Sequence, residues 1–125
     1  GNVILVTGNV RLGYFGFAAL DALRSNDPQQ STGNYGLQDQ RQVLKWVNTN
    51  INAFGGDPAQ VTIFGESSGG SSVGFHATSR ASQPYFQRAI MESPGLTQSH
   101  SFWQSETNTQ YLLSSLTAAQ GQGCR

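Results

Sequence analysis

Hydrophobic residues are grouped in short blocks along the chain, and their spacing predicts alternating strands and helices. Residues 3–7 and 61–64 are continuous apolar runs rich in β-branched side chains. Such runs are typical of strands that are buried on both faces of a sheet. Residues 89–91 form a third and shorter run of this kind. We therefore predict three strands.

Three other stretches have a helical pattern. After Gly36, apolar residues recur at three- and four-residue steps as far as Phe54, which places them on one stripe of a helix. Glycines and a proline at 55–58 end this helix because they cannot continue its hydrogen bonds. Residues 68–79 are small and helical in pattern, and residues 102–119 predict a mostly polar helix.

The order of these elements indicates the fold class. Strands alternate with helices, which predicts an α/β fold with right-handed crossovers and a mainly parallel sheet flanked by helices. The polar, breaker-rich residues 24–33 predict a surface loop. The 125 residues suffice for one domain at most. Because the chain has no initiating Met and opens on a β-rich run, we expect residues 1–125 to be a single segment of one domain, incomplete at both ends.

Composition and charge exclude some classes of partner. Lys and Arg number 7, Asp and Glu number 7, and charged residues make up only 11% of the chain. This balance argues against a nucleic-acid partner and against binding to an anionic membrane surface. No apolar run approaches the length of a membrane span, so we expect no transmembrane segment in this stretch.

The pattern G-x-S-x-G occurs at residues 65–69, where the sequence is G-E-S-S-G. In such a motif the central serine lies on a sharp turn between a strand and a helix, and its neighbours two before and two after must be small. Ser67 is therefore the candidate nucleophile. The backbone N–H of Ser68, in the first turn of the helix, is a candidate oxyanion-hole donor.

The motif alone is a modest signal. In a chain with 15 glycines, the same letters also arise as a glycine-rich turn with incidental serines. The context favours the functional interpretation, because the predicted strand 61–64 comes directly before the motif and a small-residue helix follows it.

A serine nucleophile needs a base and an orienting acid. His76 lies nine residues after Ser67 on the same predicted helix, so we interpret it as a structural histidine. His100 lies in a predicted loop and is the better of two poor candidates for the base. Glu92 and Glu106 are the acids that follow Ser67, and we assign neither to the triad. We expect the triad acid and histidine outside this segment.

The chain has one cysteine, Cys124. It is either a free thiol or half of a disulfide whose partner lies beyond the segment. The number of cysteines alone leaves both possibilities open.

Beyond these patterns, the chain resembles a known family. Residues 33–40 (GNYGLQDQ), 54–58 (FGGDP) and 61–70 (VTIFGESSGG) resemble segments of the type-B carboxylesterase and cholinesterase family. Shorter matches continue the resemblance at residues 11–17, 46–51, 72–76 and 86–93. The resemblance covers residues 3 to about 100.

The resemblance implies a partial α/β-hydrolase fold and hydrolysis of carboxylic esters through an acyl-enzyme intermediate. It implies that Ser67 is the nucleophile, that Ser68 supplies an oxyanion-hole N–H, and that Glu66 is an acidic neighbour that tunes the site electrostatically. It implies no metal and no cofactor. The expected partners are a small-molecule ester and the remainder of the protein's own chain.

The resemblance also bears on Cys124, which is similar to the first cysteine of a family disulfide. That pairing implies an oxidising compartment, so we expect a secreted protein or one in the lumen of the secretory pathway. The chain departs from the family pattern at Val10, at residues 80–81 and at residues 91–95, which leaves the substrate preference open.

Two alternatives remain beside the esterase. One is a non-catalytic adhesion or interaction domain of the cholinesterase-like type, and the other is a structural component of a larger assembly. Because the family's glycine-rich oxyanion loop, triad acid and triad histidine are expected outside the segment, the 125 residues alone are predicted to be inactive.

Overall fold

A computed structural model of the chain describes residues 2–96 and 99–121, without the side chains of residues 120 and 121. Cys124 lies outside the described residues, so its predicted disulfide stays a prediction. The chain divides into two compact units. The first comprises Gly1–Val10 and Leu37–Ser99, and the second comprises Arg11–Gly36 and His100–Arg125.

The long helix predicted after Gly36 is confirmed. Helix α3 spans Tyr35–Asn50 and continues as a 3-10 turn over Ile51–Phe54. It ends at Gly55, which adopts the left-handed conformation with φ 81°, and the Gly56 N–H donates to the Ile51 carbonyl at 3.0 Å. Glycine suits this position because it has no Cβ to oppose a positive φ.

Two parallel strands and the helix between them form the centre of the first unit. Strand β1 spans Thr62–Glu66, helix α4 spans Ser68–Thr78, and strand β2 spans Arg88–Glu92. The strands pair in parallel, with Thr62 opposite Arg88 and Glu66 opposite Glu92. Helix α4 packs against both strands. This unit confirms the predicted α/β class with a parallel strand pair.

One face of this sheet is covered by helix α4. Ile63 on β1 and Val73 on α4 are both buried, as expected for apolar side chains at a helix–sheet contact. Phe64 and Ile90 alternate with the residues on that face, and both are exposed, Phe64 to 60%. Among the described residues, therefore, the sheet has an apolar face that is left open.

The prediction of a buried strand at residues 3–7 is wrong. This segment is in no strand, and its apolar side chains are exposed, Val3 to 88% and Leu5 to 68%. Ile4 of this segment lies near Gly56, since a Cβ added to that glycine would lie 3.2 Å from the Ile4 Cδ1. A strand exists through hydrogen bonds to a neighbouring strand, and none of the described residues pairs with this run.

The second unit is helical. It contains the short helices α1 (Gly13–Phe17) and α2 (Asp21–Arg24), which the sequence did not indicate, and the long helix α5 (Phe102–Gly121), which it did. Residues 25–33 lack helix and strand, in agreement with the predicted loop.

Side chains of helix α5 bond to the backbone around the start of helix α2. The Ala19 N–H donates to the buried Thr109 hydroxyl at 3.2 Å, and the Asp21 N–H donates to the Glu106 carboxylate at 3.2 Å. No helix within residues 2–96 and 99–121 is long and apolar enough to span a bilayer.

Candidate active site

Ser67 occupies the junction between strand β1 and helix α4. Its backbone has φ 53° and ψ −117°, which is a sparsely populated conformation for a residue with a side chain. Such strain persists only where surrounding structure enforces it, and it concentrates at functional sites. Ser67 thus has the backbone strain expected of a serine on a sharp strand-to-helix turn.

Three hydrogen bonds hold the backbone of this serine. The Ser67 N–H donates to the Glu92 carbonyl at the end of β2, at 2.9 Å. The Ser67 carbonyl accepts from the Ser71 N–H at 2.9 Å and from the Ser71 hydroxyl at 3.2 Å. Both peptide groups of the strained residue are therefore fixed, one by the sheet and one by the helix.

The glycines around Ser67 have different structural roles. A Cβ on Gly65 would lie 2.5 Å from the carbonyl carbon of Gly69, and a Cβ on Gly70 would lie 2.7 Å from the Glu92 carbonyl oxygen. Neither position accepts a side chain without movement of the backbone. A Cβ on Gly69 would meet no atom of the described residues within 4 Å, so the expectation that residue 69 must be small for packing is wrong within this segment.

Three consecutive residues at the candidate site are exposed among the described residues. Glu66, Ser67 and Ser68 are all exposed. The Ser68 N–H lies in the first turn of helix α4, where backbone N–H groups have no intrahelical acceptor and the helix dipole favours negative charge. An oxyanion formed at a carbonyl attacked by Ser67 is the kind of charge that such an N–H stabilises.

His76 is a structural histidine, as the sequence analysis interprets it. It is buried on helix α4, with Nδ1 at 3.0 Å from the Ser82 hydroxyl and Nε2 at 2.9 Å from the Gln40 side-chain oxygen. Because an amide oxygen only accepts, Nε2 carries the proton and Nδ1 accepts from Ser82. Burial, together with the nearby positive charge of Arg41, lowers the pKa of His76. Both ring nitrogens are thus engaged away from Ser67.

The other histidine and the two acids that follow Ser67 belong to different units, Glu92 to the first and His100 and Glu106 to the second. His100 is exposed and lies before helix α5 in the second unit. The Glu106 carboxylate accepts a hydrogen bond from the Asp21 N–H. Glu92 lies opposite Glu66 in the strand register, and its backbone, not its carboxylate, bonds to Ser67. Within the part of the chain that the structure describes, no group of three or more His, Cys, Asp or Glu residues could hold a metal ion.

Two residues at the site are not identified by the sequence analysis. Gly70 provides the close approach between helix α4 and strand β2, and the Ser71 hydroxyl donates to the Ser67 carbonyl. The signal for Ser71 was its position four residues after Ser67, where a serine hydroxyl reaches the carbonyl one helical turn earlier. Nothing in the local pattern distinguishes Gly70 from its neighbour Gly69.

Comparison with known proteins gives one family and several relatives. The family model described as "Carboxylesterase family" matches residues 1–124. The chain is 50% identical over 94 residues to fumonisin B1 esterase of Sphingopyxis macrogoltabida, covering 75% of this chain and 17% of that protein. It is 53% identical over 91 residues to acetylcholinesterase of Danio rerio, covering 73% and 14%. It is 49% identical over 94 residues to acetylcholinesterase of Bungarus fasciatus, covering 75% and 15%. The chain thus spans about a sixth of the length of these relatives.

Proposed function

Because the chain belongs to the carboxylesterase family, we propose that it is the nucleophile-bearing segment of a carboxylic ester hydrolase. The observation that carries this proposal is the conformation of Ser67, a solvent-exposed serine held at φ 53° between a strand and a helix. A glycine-rich turn with incidental serines needs no such strain at that one residue.

In the proposed reaction, the Ser67 oxygen attacks the ester carbonyl while a base takes its proton. The tetrahedral intermediate then expels the alcohol, which leaves with a proton returned by the base, and an acyl-enzyme remains. Water attacks the acyl-enzyme in the second half-reaction, releasing the carboxylic acid and restoring the serine. Each half-reaction places negative charge on the former carbonyl oxygen, and we propose that the Ser68 N–H donates to it.

Glu66 adds a negative charge next to the nucleophile. Its carboxylate lies at the end of strand β1, one residue before Ser67, and is exposed. We propose that it favours the positively charged form that the base acquires during each proton transfer.

The rest of the machinery belongs to the remainder of the protein. We propose that the triad acid, the triad histidine and the glycine-rich oxyanion loop lie outside residues 1–125, so the segment alone is inactive. In the same proposal, Cys124 forms a disulfide with a cysteine of that remainder, and the protein is secreted or resides in the secretory pathway. Its partners are a small-molecule ester and the remainder of its own chain, without a cofactor.

A fluorophosphonate probe on the full-length protein tests the assignment. We expect labelling that peptide mass spectrometry maps to Ser67 and that Ser67→Ala abolishes. The matched control is Ser68→Ala, which keeps the backbone N–H and should label at a similar rate. Folded parent protein that takes up no probe would refute the proposal and favour the adhesion or structural alternatives.

A further inference from the structure

The hydroxyl of Ser71 connects the nucleophile's backbone to the segment that follows strand β2. It donates to the Ser67 carbonyl at 3.2 Å and accepts from the Gly95 N–H at 2.9 Å. Ser71 itself is half-buried. The Ser71 hydroxyl therefore donates one hydrogen bond and accepts one, and both of its partners are backbone groups.

The Ser67 carbonyl belongs to the same peptide group as the Ser68 N–H. A peptide bond is planar, so the carbonyl of Ser67 and the N–H of Ser68 lie in one rigid plane and point in opposite directions. Holding the carbonyl therefore holds the direction of the N–H. That N–H is the oxyanion donor in the proposed esterase mechanism.

The bonds to this carbonyl also strengthen the donor. The Ser67 carbonyl accepts two hydrogen bonds, from the Ser71 N–H at 2.9 Å and from the Ser71 hydroxyl at 3.2 Å. Hydrogen bonds in series polarise one another, so a carbonyl that accepts two bonds makes the N–H of the same peptide more positive. The Gly95 N–H extends this series by one more bond, because it polarises the Ser71 hydroxyl in turn.

We propose that Ser71 is a positioning residue of the oxyanion hole, which orients and polarises the Ser68 N–H through the Ser67 carbonyl. This inference rests on the proposed function, since it assigns Ser71 a role in the same ester hydrolysis.

The turn that follows strand β2 also helps to fix the Ser67 backbone. Ser93 has a positive φ of 46°, which turns the chain sharply after the strand. Glu92 on one side of this turn accepts from the Ser67 N–H, and Gly95 on the other side donates to Ser71. The turn therefore contacts the nucleophile's backbone directly and also through Ser71.

The hydroxyl of Thr78, also on helix α4, provides a matched comparison. Thr78 makes the same kind of bond as Ser71, from its hydroxyl to the carbonyl four residues earlier, Gly74, at 3.2 Å. It lies at the opposite end of the helix and is exposed. Removing this hydroxyl deletes that helix bond and a second one to the Phe75 carbonyl at 3.1 Å, without touching the peptide that carries the Ser68 N–H.

The test is steady-state hydrolysis of p-nitrophenyl acetate by the full-length protein and by Ser71→Ala, Ser71→Thr and Thr78→Val. Removal of a complete oxyanion donor costs roughly 100- to 1,000-fold in kcat, so loss of its support should cost about three- to tenfold. We expect that loss in Ser71→Ala with KM nearly unchanged, recovery of most of it in Ser71→Thr, and none in Thr78→Val. Thermal denaturation of each variant separates these effects from a loss of folded protein.

A trifluoromethyl ketone inhibitor distinguishes positioning from a general structural role. It forms a tetrahedral oxyanion on the serine, so its Ki in Ser71→Ala should rise by the factor by which kcat/KM falls. An active parent protein with unchanged kcat and Ki in Ser71→Ala would overturn this inference alone. A parent that neither hydrolyses the ester nor reacts with the fluorophosphonate probe would overturn the proposed function and this inference with it.

Discussion

The packing of Gly65 against helix α4 gives the sharpest prediction about the turn that carries Ser67. Gly65 lies on strand β1 two residues before Ser67, and a Cβ added there would lie 2.5 Å from the Gly69 carbonyl carbon and 2.6 Å from its oxygen. Ordinary carbon–carbon contacts begin at about 3.5 Å. In Gly65→Ala, the start of helix α4 must therefore move by roughly 1 Å away from the strand.

That movement affects both stability and catalysis. Overpacking of this kind costs about 1–3 kcal/mol of folding free energy, because the obstructing atoms are backbone and cannot change rotamer. The displaced atoms include the first turn of α4, which carries the Ser68 N–H. A misplacement of about 1 Å in catalytic geometry costs on the order of 100-fold in rate. We therefore expect kcat/KM of Gly65→Ala to fall about 100-fold.

Gly69→Ala is the matched control, since it adds the same methyl group within the same motif. Apart from its chain neighbours and its own helix backbone, its Cβ would meet no described atom within 4 Å. The assay is hydrolysis of p-nitrophenyl acetate by the full-length variants, normalised to folded protein by circular dichroism. Near-parental activity in Gly65→Ala, or a larger loss in Gly69→Ala than in Gly65→Ala, would refute this account of the turn.

Two further predictions concern His76 and Thr109. Burial and, to a lesser extent, the charge of Arg41 lower the pKa of His76 below the usual 6.5, so the unfolded chain binds more protons below that pH. The free energy of unfolding should decrease from about pH 7 towards pH 5, and more steeply in the parent than in His76→Gln. Urea titrations at several pH values measure this, and the same dependence of the unfolding free energy on pH in both proteins would contradict it. Thr109→Val leaves the Ala19 N–H without its acceptor and should cost about 1–3 kcal/mol of stability. The control is Thr107→Val at an exposed position, which loses only a bond to the Trp103 carbonyl and should cost less than about 1 kcal/mol of stability. Equal melting temperatures for the two variants would count against the role of Thr109.

Local patterns in the sequence were sufficient for most of the elements around the site. The apolar stripe after Gly36, the runs at 61–64 and 89–91 and the small residues at 68–79 correspond to α3, β1, β2 and α4 within a few residues. These elements depend on interactions between near neighbours in the chain and on burial of one face, and both leave a periodic signal. The motif at 65–69 likewise placed Ser67 at the junction where the structure has its strained serine.

The run at residues 3–7 shows where local pattern stops being sufficient. Its composition is that of a buried strand, but strand formation requires a partner that need not be near in sequence. The described residues provide no such partner, so the segment stays unpaired and exposed.

The sequence by itself determined the family, the order of the elements around the site and the residue proposed as nucleophile. Only the tertiary structure decided that Gly70 rather than Gly69 packs on strand β2 and that both nitrogens of His76 bond to partners other than Ser67. It also decided that the Ser71 hydroxyl joins the Ser67 carbonyl to Gly95, 24 residues away from Ser71. The physical reason is the same in each case. A steric contact or hydrogen bond depends on the separation of atoms in space, and the chain sets that separation only after strand, helix and turn have packed together.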